Sequence, residues 1–395
     1  MTSAATAQIG IPAATLVTCL GRGRAAHLAA MSAGRSGLEP LEDPLVPFDA
    51  YVGRVSGLEG DPPPAAHAAY DNRATRIVMA ALGSDGFGDA IAGARARWGA
   101  RRIGIVVGTS TSGVERLETC YRQRDADGRL PVSYSLRHHN DHQAVAAFLQ
   151  AHLALEGPSY SISTACSSSA KALLDATQLI EAEICDAVLV AGIDSLCMTS
   201  LAGFEALELI SRTPCRPCDA ARDGISIGEG AGLMLIERGY DGGARMLGSG
   251  ESSDGVNMST PPVDGRGAQA AMRAALADAG IEADAVGFVN LHGTATPAND
   301  SAECTAVLDC FGAEMPVASF KGAIGHTLGA AGAVEIVLCL IALEARTAFP
   351  NAGLEILDPA IGCNVMRRSA PLGRPRIMTN AFGFGGNNSS ILLGE

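Results

Sequence analysis

Three distant segments of this chain carry side chains that could do chemistry together. Cys166 stands in "YSISTACSSSAKALL" (160–174), after a β-leaning stretch and before a run of small residues that reads as a helix. A thiol there would feel the positive end of the helix dipole and its free N–H groups, which lowers its pKa. The same amides could hold an oxyanion developing on a thioester carbonyl. The letters equally fit a small buried residue, because cysteine is among the most buried types. In "VNLHGTATPANDSAE" (289–303), His292 ends an apolar strand and precedes a glycine that permits close approach of a ligand. Thr294 and Thr296 alternate, so an extended backbone would point both hydroxyls one way, a ledge for the amides of an extended arm. The bland reading is a histidine that caps a strand.

"ASFKGAIGHTLGAAG" (318–332) places Lys321 and His326 on a glycine-rich turn that enters a helix. Glu335 follows within that apolar helix. A buried carboxylate needs a partner, and Lys321 is the natural one. In "NAFGFGGNNSS" (380–390), glycines flank Phe384, so the ring could swing or its backbone N–H could face a ligand. A turn that merely packs a phenylalanine is the alternative.

The elements that must position these residues read as α/β. Apolar strands end in glycine or serine at 102–113, 186–195, 231–239 and 285–293, and helical patterns occupy 168–182, 267–279 and 329–344. That alternation favours mainly parallel sheets covered on both faces. The segments around Cys166 and His326 share one order: strand end, reactive-type side chain, helix rich in small residues. We read a duplicated α/β unit, with halves 1–240 and 241–395 packed as one body. Residues 56–68 read as a surface loop and the first few residues as a frayed start.

Composition narrows the function. The 395 residues are 47% hydrophobic but only 4% aromatic, with 47 glycines, so the core is aliphatic and tightly packed. A net charge of −13 argues against general nucleic-acid binding. Eleven irregularly spaced cysteines and no signal-peptide pattern predict free thiols in a reducing cytoplasm. The longest apolar run, 329–343, is too short for a membrane span and carries Glu335. "CRPC" (215–218) lacks a second pair at zinc spacing, and "RHHNDH" (137–142) reads as a solvated loop; no metal is expected.

Cys166, His292, Lys321, His326 and the "GFGG" loop, in this order and spacing, resemble the elongating β-ketoacyl-acyl carrier protein synthases, which have the thiolase fold. "VTCLGRGRAAHLAAMSAGRSGL" (17–38) resembles the family's opening and "CRPCDAARDGISIGEGAGLMLIE" (215–237) its mid-chain signature. "AQIGIPAATLV" (7–17) departs from the family's usual glycine-rich start. The resemblance implies a five-layered α-β-α-β-α sandwich and an acyltransferase that performs decarboxylative Claisen condensation without a cofactor. It implies Cys166 as nucleophile, Cys166 and Phe384 N–H groups as oxyanion hole, and His292 and His326 as donors to an enolate. Lys321 and Glu335 would orient the histidines. Thr294, Thr296, Ser259 and Thr260 would hold phosphopantetheine, and Phe204 and Thr111 would line the acyl path. Thr111 falls where many elongating enzymes carry a bulky aliphatic gate, which implies a longer or wider pocket for unsaturated or aryl chains of a polyene or polyketide-type pathway.

The implied partners are an acyl carrier protein and a dimer mate, either a second copy or a chain-length-factor-like subunit. Arg73, Arg76, Arg212 and Arg216 are expected to meet the acidic carrier. Two other readings compete. A non-catalytic chain-length-factor-like subunit would lack the nucleophile, and a cysteine hydrolase would need an orienting Asn or Asp beside a histidine.

Overall fold

The structure is a computed structural model that describes residues 9–395; the expected frayed start lies outside them. Two six-stranded sheets organise the chain. The first runs in the order Gly21–Arg22, Ile9–Thr18, Gly230–Arg238, Ala187–Asp194, Ile103–Gly108, Ser159–Ile162. The second runs Arg245–Ser253, Asn387–Gly394, Arg376–Gly383, Phe288–Asn290, Pro316–Ala318, Asn364–Val365. Setting aside the short edge strands at 21–22 and 364–365, both sheets follow one spatial order in chain sequence: first, fifth, fourth, second, third. The duplication is thus written in the topology as well as in the echo of the two reactive segments.

Each sheet is mixed and not mainly parallel. Ile103–Gly108 pairs in parallel with both its neighbours, whereas Gly230–Arg238 pairs antiparallel with Ala187–Asp194 and with Ile9–Thr18. In the second sheet Arg376–Gly383 and Asn387–Gly394 form an antiparallel hairpin. The connections explain this. The short turn at 384–386 must reverse the chain, and the long connection through the helix Met198–Ala206 also returns it antiparallel.

In each half the third strand leads into a helix buried between the sheets, Ser168–Glu181 in the first and Ala331–Glu344 in the second. Residues 331–343 are all buried, so this helix shows no polar face. An aliphatic core fills the middle layer, and two more lie under the outer helices of each sheet. Glycine and alanine let these layers touch backbone to backbone. A β-carbon on Gly332 would lie 2.4 Å from the Ala170 nitrogen, and one on Gly108 would lie 2.3 Å from the Ser169 Cα. The low aromatic content follows from that spacing. No helix among the described residues is long and apolar enough to cross a membrane.

Candidate active site

Cys166 and His326 sit at the N-terminal approaches of the two central helices, so the duplication itself brings the halves' chemistry face to face. Ala165 adopts a left-handed conformation (φ 53°) and turns the chain sharply from strand to helix, a strain characteristic of residues held for function. His326 is held from behind: its N–H donates to the Ser226 carbonyl at 2.7 Å and its carbonyl accepts from Gly228 N–H at 2.9 Å. The mid-chain segment 215–237 therefore frames the second histidine.

The Cys166 Sγ lies 3.0 Å from His326 Nε2. His292 meets His326 edge to face, with ring centroids 5.3 Å apart. Lys321 is fully buried; its ammonium donates to Glu335 at 2.5 Å and faces His292 Nδ1 at 3.5 Å. An ammonium can only donate, so His292 Nδ1 accepts and its Nε2 carries the proton. Burial and then the Lys321 charge push both imidazoles well below their ordinary range, so both are neutral near pH 7.

The thiol departs from expectation. Burial pushes Cys166 up to about 11, although Lys321 and the backbone N–H groups of Phe384 and Cys166 oppose the rise. The N–H groups at the helix terminus do favour the thiolate, but here desolvation outweighs them. Cys166 therefore rests as a neutral thiol beside a neutral imidazole. The two N–H groups that reach the sulfur are the pair named from sequence for the oxyanion.

Two cavities meet at Cys166. One, of about 340 Å³, contains both histidines and is lined by Ser259, Thr260, Thr294, Thr296 and the Phe204–Phe384 ring pair. The second, of about 260 Å³, lies beyond the same two rings and is lined by Thr111. The Thr294 and Thr296 hydroxyls do share a direction, 3.1 Å apart, but not through an extended backbone. Ala295 is left-handed (φ 66°), and Thr296 caps the helix Pro297–Phe311 by accepting from Asn299 N–H.

Several functional-looking carboxylates escaped the sequence reading. Glu303 accepts the N–H groups of His292 and Gly293 at 2.7 and 2.8 Å, and burial pushes it up to about 7. Asp300 accepts from Ala295 and Cys218 N–H. Asp194 accepts from Thr109, Ser110, Thr111 and Gly329, tying the second cavity's wall to the turn after His326. The signal available for Asp194 was a charged residue closing an otherwise apolar strand; for Glu303 it was an acidic side chain on the buried face of the helix that follows His292.

Other sequence candidates do not converge. Cys215 Sγ faces the Lys321 carbonyl, while Cys218 packs in a different core. His138 and His139 both turn to Ser135, meeting its Oγ and its N–H, while His142 faces the Ser110 carbonyl. Among the described residues, the group whose ligand atoms lie close enough for a metal is Cys166, His292 and His326, within 4.8 Å of one another, but the Lys321 ammonium beside them disfavours a further cation. All four arginines expected to meet a carrier are ion-paired, Arg73 with Glu229, Arg76 with Asp71, Arg212 with Glu205 and Arg216 with Glu355. Arg212 has the most exposed side chain of the four.

Comparisons with known proteins agree with this geometry. The model of the β-ketoacyl synthase N-terminal domain matches residues 76–242, and that of its C-terminal domain matches 243–355. The chain is 33% identical over 314 residues to 3-oxoacyl-[acyl-carrier-protein] synthase 2 of Vibrio cholerae, covering 74% of this chain and 76% of that one. It is 30% identical to 3-oxoacyl-[acyl-carrier-protein] synthase 1 of Haemophilus influenzae, covering 96% of each. Among solved structures, a chain of the ketosynthase ApeO in complex with its chain length factor ApeC, from Xenorhabdus doucetiae, superposes with a TM-score of 0.90 at 34% identity, covering 100% of this chain and 99% of that one. The two domain models meet at 242/243, between the two sheets, and together match most of the chain, which belongs to the β-ketoacyl synthase family.

Proposed function

We propose that this chain elongates an acyl chain by two carbons through decarboxylative Claisen condensation with a malonyl group on an acyl carrier protein. The observation that carries the reading is the 3.0 Å contact between Cys166 Sγ and His326 Nε2, with a second neutral histidine at its edge. In the first half-reaction the thiol passes its proton to His326 as sulfur attacks the acyl thioester. The Cys166 and Phe384 N–H groups receive the oxyanion, the carrier's C–S bond breaks, and the departing carrier thiolate takes the proton from His326.

In the second half-reaction the malonyl C–CO₂ bond breaks and its electron pair enters an enolate. His292 Nε2–H, held in that tautomer by Lys321, donates to the enolate oxygen, and His326, whose Nδ1 has no partner among the described residues, joins it once its ring proton has moved to Nε2. The enolate carbon then attacks the acyl-cysteine, and the expelled thiolate takes a proton from solvent. Thr294, Thr296, Ser259 and Thr260 would guide the phosphopantetheine arm through the first cavity, while the growing chain occupies the second past Thr111.

Intact-mass spectrometry of the protein with acyl carriers tests this reading. An acyl adduct that forms on the native chain and is lost in Cys166→Ala, together with condensation, is expected. Full condensation by Cys166→Ala would refute it and favour a partner-subunit role. The likeness to a ketosynthase–chain length factor complex favours pairing with a chain-length-factor-like subunit; native mass spectrometry of the purified chain, alone and with such a partner, separates this from pairing with a second copy. Reversing Arg212 and Arg216 should slow carrier-borne turnover and spare small thioester mimics. Equal loss in both would remove those residues from docking.

A further inference from the structure

About half of the side chains that line the second cavity are polar, yet none of its hydroxyl protons, nor the Cys197 thiol proton, is free. Ser110 Oγ donates to the Ala165 carbonyl at 3.1 Å and Thr111 Oγ1 to Asp194 at 2.8 Å. Thr199 Oγ1 donates to Glu118 at 2.7 Å. Ser200 Oγ donates to the Cys197 carbonyl at 3.1 Å, which leaves the Cys197 thiol to donate to that same Oγ at 3.2 Å. Behind the wall, Asp194 and Glu118 draw the donors away from the space; each also collects backbone N–H groups from the same segments. What faces inward is methyl, methylene and oxygen lone pair, completed by Val114, Leu328 and the Phe204 ring.

We propose that this cavity selects a carbonyl-free acyl chain, saturated or polyenic, and rejects one that carries ketones, because every side-chain proton in its wall is committed to a protein acceptor. The inference rests on the reading of Cys166 as the chain's attachment point. Beyond the thioester, whose oxygen the Cys166 and Phe384 N–H groups hold, a ketone oxygen leaves water behind and meets no free side-chain donor, a penalty of roughly tenfold or more in loading for each ketone. A hydrocarbon or conjugated polyene asks for no donor and loses nothing. Asp194 is then a specificity-determining residue that never touches the chain: it holds the Thr111 hydroxyl turned outward.

The experiment uses the full chain and one carrier bearing octanoyl, octa-2,4,6-trienoyl or 5,7-dioxo-octanoyl groups, with adduct formation on Cys166 followed by intact mass. The octanoyl and trienoyl groups are expected to load, and the dioxo group, with two ketones, to load at least about 100-fold more slowly than octanoyl. Equal loading of dioxo and octanoyl groups would overturn the inference and leave the condensing reading intact. Loading of none of the three would overturn that reading and this inference with it. Thr111→Val supplies a second check. The dioxo-to-octanoyl ratio should stay as it is, since the hydroxyl does not serve the chain, and a further fall in that ratio would overturn the assignment.

Discussion

Replacing Asp194 by asparagine tests the connection between the chain cavity and the nucleophile. The carboxylate is fully buried and surrounded only by donors. Its Oδ1 accepts from Thr109 Oγ1, Thr111 Oγ1 and Thr111 N–H, its Oδ2 from Gly329 N–H at 2.6 Å, and both share the Ser110 N–H. Asparagine can keep an oxygen at one position only. Its carbonyl will take the crowded Oδ1 place, so the new NH₂ confronts the Gly329 N–H. One orphaned buried N–H costs about 1–3 kcal/mol, and the remaining bonds lose charge assistance. Relief of the buried charge offsets part of this, leaving a net loss of about 2–4 kcal/mol.

The same change should make Cys166 more acidic, because the Asp194 charge is one of the influences that raise its pKa. The variant is thus expected to be less stable yet to carry a more reactive thiol. Denaturant unfolding measures the first effect. Alkylation of Cys166 by iodoacetamide from pH 6.5 to 10, followed by intact mass, measures the second, with the rise shifted to lower pH. Stability within about 1 kcal/mol of the native chain, or an alkylation profile that stays in place or moves upward, would refute the reasoning.

In the native chain, alkylation of Cys166 should climb steadily with pH through 9, as a thiol pushed up to about 11 requires; a plateau already reached near pH 7 would mean a preformed thiolate. Lys321→Met and Glu335→Gln should each lower unfolding free energy by about 3–5 kcal/mol, and Lys321→Met/Glu335→Leu should recover much of it; simple addition of the single losses would deny that they act as a pair. Glu303 is raised from its ordinary 4.5 to about 7 in the folded chain, so the folded state holds that proton more tightly. Its contribution is fully present below pH 4.5 and is lost as pH rises through 7, about 3 kcal/mol in all. Glu303→Gln should flatten that stretch of the stability–pH curve, and an unchanged slope would count against it. Gly332→Ala should cost about 3 kcal/mol or more, while Gly203→Ala, on an open helical surface, should gain about 0.5–1 kcal/mol; thermal unfolding that ranks them otherwise would contradict the packing.

The residues legible in sequence were those whose chemistry is unusual for their surroundings: a thiol at a strand–helix junction, histidines after glycine-rich strand ends, a lysine and a glutamate in apolar segments. Cys166 by itself remained ambiguous; only the set with His292, Lys321, His326 and Phe384 carried a reading. The strand and helix positions at 186–195, 168–182 and 267–279 emerged within a residue or two because their apolar periods are uninterrupted. Strand direction was not legible, since a period of two is the same in parallel and antiparallel pairs. The thiol's acidity was misjudged because a helix terminus can be read from letters, whereas the depth of burial around it cannot. Asp194 and Glu303 stayed hidden for a related reason: they act by accepting backbone N–H groups, which every residue possesses.

The close contacts at Gly108, Gly192 and Gly332 also limit how such an enzyme can change over evolutionary time. On that side the wall behind Cys166 is glycine pressed on main chain at Gly108 and Gly332, and a single added methyl at Gly192 would come within 2.6 Å of the Ala333 β-carbon. Mutation cannot remodel it gradually. The opposite wall is made of side chains from Ser110–Val114 and from the helix Met198–Ala206, where substitution changes volume without disturbing the layers. New chain lengths can therefore arise along one heading only, away from the molecular centre, while the chemistry at its heart is sheltered from the same drift.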